Sequence, residues 1–98
     1  MSRRLSVRPE AERDVATAYD WYEKREAGLG QRFMSQLDAA LAVIEQTPEL
    51  HRKLYREVRR TLIRRFPFGV FYVVKEEDVV VIAVLHQASD PERWKSRA

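Results

Sequence analysis

Phe66-Pro67-Phe68-Gly69-Val70-Phe71-Tyr72-Val73-Val74-Lys75-Glu76-Glu77-Asp78-Val79-Val80-Val81-Ile82-Ala83-Val84-Leu85-His86 is the stretch on which the fold turns. Val70 to Val74 and Val79 to His86 are dominated by β-branched and aromatic side chains, and the acidic turn Glu76-Glu77-Asp78 separates them. Upstream, Phe66-Pro67-Phe68-Gly69 divides the first of these from a third run of strand character, Arg56 to Phe66. Connections this short predict three strands of an antiparallel meander. Val79 to Leu85 is apolar on both faces, as expected of an inner strand covered by helices on one side and by the chain's tail or a partner on the other.

Working back from the meander, the sequence supplies the helices. Pro9 suits a first helical position, and Glu10 and Glu12 fall where the first turn favours negative charge. Ala11, Val15, Ala18 and Tyr22 recur at helical spacing, so a helix runs to about Arg25, with Tyr19 and Trp21 on opposite shoulders of the apolar stripe. Gly28-Leu29-Gly30 turns the chain. Phe33, Leu37, Ala40, Leu41 and Ile44 then mark a second helix that Thr47-Pro48 stops. Ahead of both, residues 3 to 8 alternate polar and apolar, a short strand with Leu5 and Val7 inward. Behind the meander, Asp90-Pro91-Glu92-Arg93-Trp94 starts a helical turn. The order β-αα-βββ-(α) predicts an α+β fold: a helical hairpin packed on a small twisted antiparallel sheet, one domain over residues 1–98.

Composition narrows the function. With 45% hydrophobic residues and ten aromatics, the chain can build a core. No cysteine is present, which removes disulfides, iron–sulfur clusters, thiolate zinc sites and cysteine nucleophiles. The N-terminus has no apolar segment of signal-peptide length, and the longest apolar run, Val79 to Leu85, is far short of the roughly 20 residues a span needs. The expectation is a cytoplasmic protein. No phosphate-binding glycine loop, dinucleotide fingerprint or metal-ligand spacing occurs, and His51 and His86 lie in different elements, so neither a metal nor a cofactor is expected.

Charge is uneven. Residues 1–50 carry seven basic and nine acidic groups, residues 51–98 eleven and six, so an excess of five positive charges sits in the second half. Arg56, Arg59, Arg60, Arg64 and Arg65 are concentrated on the first meander run. Strand alternation would send Arg60 and Arg64 one way and Arg59 and Arg65 the other. They read either as an anion-facing groove or as an edge strand protected by charge. Trp21 and Trp94 read as interface anchors or as lids on a small core. His86 reads as a general acid or base, or as a histidine that fixes the strand end. His86, Ser89 and Asp90 are too close in sequence to act as a nucleophilic triad.

Six segments in this order resemble the ParE branch of the RelE/ParE toxin superfamily: Pro9-Glu10-Ala11-Glu12-Arg13-Asp14, Tyr19-Asp20-Trp21-Tyr22, Gly28-Leu29-Gly30, Val58-Arg59-Arg60, Phe66 to Tyr72, and Val84-Leu85-His86 through Trp94. The resemblance covers residues 3 to 95. It implies the toxin of a type II toxin–antitoxin operon, neutralised by a cognate ParD-like antitoxin and inhibiting DNA gyrase rather than acting as an enzyme. Arg59, Arg60, Arg64, Arg65, Arg93 and Trp94 are then the candidates to face the target, and Tyr19, Trp21, Tyr22, Phe33 and Leu37 to hold the antitoxin. DNA would be met only indirectly, through the antitoxin.

The superfamily also contains RelE-like ribosome-dependent messenger RNA endonucleases, which is the alternative. For that chemistry His86 would be the acid or base and Arg64, Arg65 and Arg93 the phosphate clamps. Against the RelE pattern, the arginine of the second meander strand falls at about Gly69 or Val70, and the C-terminal tyrosine falls at Trp94, which cannot titrate. A degenerate, non-toxic binding module is the third reading.

Overall fold

The computed structural model describes residues 4–98; the expected start of the first strand at Arg3 lies outside them. The elements are β1 (Arg4–Val7), α1 (Pro9–Arg25), α2 (Leu29–Gln46), β2 (Lys53–Tyr55), β3 (Val58–Leu62), β4 (Phe68–Lys75), β5 (Asp78–His86) and a short α3 (Glu92–Lys95). The five strands form one sheet in the order β1-β5-β4-β3-β2. The α+β architecture and the helical hairpin are as expected from the sequence. β2 through β5 pair antiparallel, but β1 joins β5 in parallel, Val7 opposite Val81. The helical hairpin supplies the long crossover that a parallel neighbour requires.

Between α1 and α2 the chain turns on two glycines. Gly28 takes φ +90°, a left-handed conformation costly for any residue with a Cβ. At Gly30 a Cβ would come within 2.9 Å of the Tyr19 carbonyl oxygen, so this residue is where the two helices touch. The Glu23 carboxylate accepts the N–H groups of both Gly28 and Gly30 at 2.9 Å, so the N-terminus of α2 already holds an anion of its own chain.

Two apolar layers follow. Ala11, Ala18 and Tyr22 of α1 and Phe33, Leu37, Ala40 and Ile44 of α2 pack on Val70, Tyr72, Val79, Val81 and Val84. On the opposite face Val58, Phe71, Val73, Ile82, Ala83 and Leu85 are covered by Trp94 of α3, whose ring stacks on Phe71 with centroids 4.7 Å apart. The alternation of β5 is interrupted by a bulge: Phe71 pairs with Ala83 but Tyr72 with Val81. Ile82 and Ala83 therefore both belong to the second layer. This accounts for a seven-residue apolar run without a polar face.

The arginine-rich run departs from expectation. Arg56 to Phe66 is not one strand: Arg56 turns with φ +51° between β2 and β3, and Arg65 with φ +71° between β3 and β4. Lys53 and Glu57 pair at 2.8 Å across the first turn, and the Ile63 N–H donates to the Phe68 carbonyl at the second. Arg64 and Arg65 thus sit on an exposed loop tip, where strand alternation no longer governs their direction.

Candidate functional site

α1 divides two cavities. On one side Val7, Val15, Tyr19, Met34, Leu37 and Leu41 line a groove of about 670 Å³ between the helices and the end of the sheet. Val15 and Tyr19 follow one another at a helical spacing of four, and Met34, Leu37 and Leu41 at three and four, so each helix lends one apolar ridge. Glu12, Asp20 and Asp38 also line it, which makes its rim acidic. Beside it β1 is a terminal strand of the sheet, its outer edge unpaired by any described strand.

On the other side of α1 a cavity of about 540 Å³ has an apolar floor that includes Ala18, Tyr22 and Phe68 and a wall formed by Trp21. Thr17, His86, Ser89 and Arg93 bring polar groups to it. Trp21 is 52% exposed, the Arg25 guanidinium lies 4.1 Å from its ring centre, and its edge meets Tyr22. Burial raises the Tyr22 hydroxyl above its ordinary pKa. His86 Nδ1 accepts the Ala88 N–H at 2.9 Å, so the Nε2 side of the ring is the one left to carry a proton outward.

The five residues expected to form one antitoxin groove are therefore divided. Tyr19 and Leu37 line the acidic groove, and Trp21 and Tyr22 the opposite cavity. Phe33 is fully buried between Tyr22, Phe66 and Phe68, where packing occupies its whole ring.

The six residues assigned to a target are likewise dispersed. Arg59 faces the hairpin side, and its Nη1 donates to the His51 and Glu49 carbonyl oxygens at 2.6 and 3.1 Å, closing the loop after α2. Tyr72 secures the same loop by donating its hydroxyl to the Pro48 carbonyl at 2.7 Å, and burial raises its pKa. Arg60, opposite Phe71, lays its stem over Gly69 on the other face. Trp94 is buried rather than exposed, because Phe71 and Tyr55 enclose its ring. Its part is to fix α3, and Arg93 is the neighbour left at the surface.

Of the nuclease set, His86 and Arg93 share a cavity, and the pairing of Phe68 with His86 brings the β3–β4 connection to the same end of the sheet. Arg65 instead lines a separate cavity with Gly28, Arg32 and Phe66. Gly69 and Val70 are buried sheet positions. No cluster of metal-ligating side chains occurs among the described residues.

One polar device escaped the sequence reading. Asp14 accepts Arg97 Nη1 at 2.6 Å and Nη2 at 3.3 Å, and also the Val84 N–H at 3.0 Å. Arg97 donates in addition to the Ile82 carbonyl at 3.1 Å, and its own carbonyl accepts from Arg8. β1 stops pairing at Val7, so the outer edge of β5 beyond Val81 loses its strand partner. Asp14 and Arg97 satisfy that edge and fasten the chain after α3 to α1. The Asp14 and Arg97 positions are 83 residues apart, and no local pattern connects them.

Comparison with known proteins gives a consistent result. Residues 5–91 match the family model described as ParE toxin of type II toxin-antitoxin system, parDE. The curated protein Toxin ParE2 of Mycobacterium tuberculosis is 28% identical over 92 residues, covering 93% of this chain and 88% of its own. Among solved structures, a chain of the chromosomal ParDE toxin–antitoxin system of Pseudomonas aeruginosa superposes with a TM-score of 0.77 at 16% identity, covering 86% of this chain and 95% of that one. A chain of the RelBE2 toxin–antitoxin complex of Mycobacterium tuberculosis gives 0.54 at 18% identity, covering 91% and 95%. At those identities the two structures speak for the fold, while the family model spans nearly the whole sequence. The chain belongs to the ParE family of type II toxin–antitoxin toxins.

Proposed function

We propose that this chain is neutralised by a ParD-like antitoxin seated in the acidic groove beside α1, and that it inhibits DNA gyrase by binding rather than by cutting RNA. The observation that carries the second half is the failure of the nuclease groups to converge. The C-terminal tyrosine of the RelE pattern is replaced by Trp94, which is buried against Phe71 and Tyr55 and does not line the His86 cavity. The tyrosine that does line it is Tyr22, whose pKa burial raises. Arg65 turns toward the α2 side, and no arginine stands at Gly69 or Val70. His86 and Arg93 line one cavity while Arg65 lines another, so the proton-transfer group and the phosphate clamps named for that chemistry do not gather around one site.

The groove supports the antitoxin half. Two apolar ridges flanking a trough are what an amphipathic helix fits, and the rim of Glu12, Asp20 and Asp38 favours basic residues on its flanks. The outer edge of β1 offers hydrogen bonds to a strand from the same partner. The two solved structures compared above come from toxin–antitoxin systems, which supports a partner of this kind.

Ala16 provides the test, because it is an exposed helical position that lines the groove without entering the core. Ala16→Arg should leave the fold within about 0.5 kcal/mol of the original. Growth inhibition should persist, and co-expressed antitoxin should no longer relieve it. Relief equal to that of the unaltered chain would place the antitoxin elsewhere.

A further inference from the structure

The cavity on the Trp21 side of α1 lies apart from the acidic groove and holds only His86 and Arg93 of the nuclease set, yet it has the form of a binding site. Its volume of about 540 Å³ lies within the range of small ligand pockets, and its lining is apolar with a few polar groups at one rim. Its charge is opposite to that of the groove across the helix. Asp14, the one carboxylate lining it, is neutralised by Arg97 at 2.6 Å, whereas the Arg93 guanidinium has no ion-pair partner among the described residues. Arg25 adds a second positive charge over the outer wall, 4.1 Å from the Trp21 ring centre.

Rim chemistry narrows the occupant further. His86 Nδ1 is held by the Ala88 N–H, so its free edge and the Ser89 and Thr17 hydroxyls offer hydrogen bonds beside Arg93. Trp21 and Tyr22 meet edge to face at 5.0 Å and form a corner suited to an aromatic or branched side chain. We infer that this cavity is a second protein-binding site, which takes an acidic peptide segment of a partner: an apolar side chain on the Tyr22–Phe68 floor and an adjacent carboxylate on Arg93. A basic segment that fits the Glu12–Asp20–Asp38 groove is repelled here, so the two cavities accept different segments. The inference concerns this cavity alone and stands whether or not the target is gyrase.

The test uses the full chain, labelled with nitrogen-15 and titrated with two capped tripeptides, acetyl-Asp-Phe-Glu-amide and acetyl-Lys-Phe-Lys-amide. The acidic peptide should move the Trp21 indole N–H and the Thr17, His86 and Ser89 amides together, with affinity at least about fivefold above that of the basic one. Arg93→Gln should weaken the acidic peptide about tenfold, through loss of a charge-assisted hydrogen bond. Arg52→Gln, which removes a charge from an exposed residue outside the cavity, should not weaken it. Amide shifts that map to the Tyr19 side of α1, equal binding of the two peptides, no shifts at all, or equal weakening by both substitutions would each overturn the assignment. A spectrum of Arg93→Gln that matches the unaltered chain away from the cavity establishes that its loss of binding is local.

Discussion

Replacing Asp14 by Asn tests the account of how α3 is held. The Asp14 side chain is 6% exposed and that of Arg97 18%, with the short Nη1 contact of 2.6 Å between them. The Val84 N–H and Arg97 Nη1 share Oδ2 while Arg97 Nη2 meets Oδ1, so the substitution removes the negative charge and sets an amide N–H₂ against a donor on one side or the other. Breaking a buried pair from one side costs about 3 to 5 kcal/mol, and the partial exposure of Arg97 argues for the lower end, about 3 kcal/mol. For a domain of this size, at about 4 to 8 °C per kcal/mol, thermal unfolding should fall by about 12 to 24 °C. Urea titration of Asp14→Asn, Arg97→Met and the double variant isolates the pair, and the coupling energy should be about 2 kcal/mol. Singles that each cost under about 0.5 kcal/mol, or effects that simply add within that margin, would refute the assignment of this contact as the clasp.

Other substitutions separate structural from functional roles. Arg59→Met should destabilise the fold by about 1.5 to 3 kcal/mol, since its guanidinium bonds to two loop carbonyls, and a variant that keeps full stability but loses toxicity would return Arg59 to the target surface. Burial raises the pKa of Tyr72 in the native state above the ordinary value of 10.0, so the folded protein holds that proton more tightly than the unfolded one. The stability from this difference is complete below pH 10.0 and is lost as pH rises through the native pKa, and Tyr72→Phe should flatten that alkaline limb in denaturant titrations. The same change loses the bond to Pro48, at a cost of about 1 kcal/mol near neutrality. His86→Ala should leave growth inhibition within a few fold, whereas loss of a general acid or base costs about 10² to 10⁴ in rate and would revive the nuclease reading.

Local rules made the helices and the meander legible. Pro9, the Gly28–Gly30 turn and Thr47-Pro48 punctuate two apolar stripes, and the Phe-Pro-Phe-Gly and Glu-Glu-Asp breaks separate strands. Orientation of β1 was hidden, because nothing within Arg4–Val7 records which way its neighbour runs. The arginine run misled for a related reason. Arg56 and Arg65 adopt positive φ without glycine, so the turns carried no compositional mark and alternation was extended across them. Trp94 could be an anchor or a lid on sequence grounds, and only the opposed Phe71 and Tyr55 decide for the lid. The five antitoxin candidates lie on the two helices of the hairpin, yet α1 stands between two cavities, so Tyr19 and Trp21, two apart on one helix, line different ones. The Asp14–Arg97 clasp joins the two ends of the chain, beyond the reach of any periodicity.

The central claim, inhibition of gyrase by binding, is tested most directly with purified antitoxin-free protein in two parallel reactions. One contains gyrase, supercoiled DNA and ATP; the other contains a translating ribosome extract. The account predicts DNA breaks that require gyrase and no cleavage of messenger RNA. Messenger cuts at codon spacing, with gyrase unaffected, would contradict it and make His86 and Arg93 catalytic.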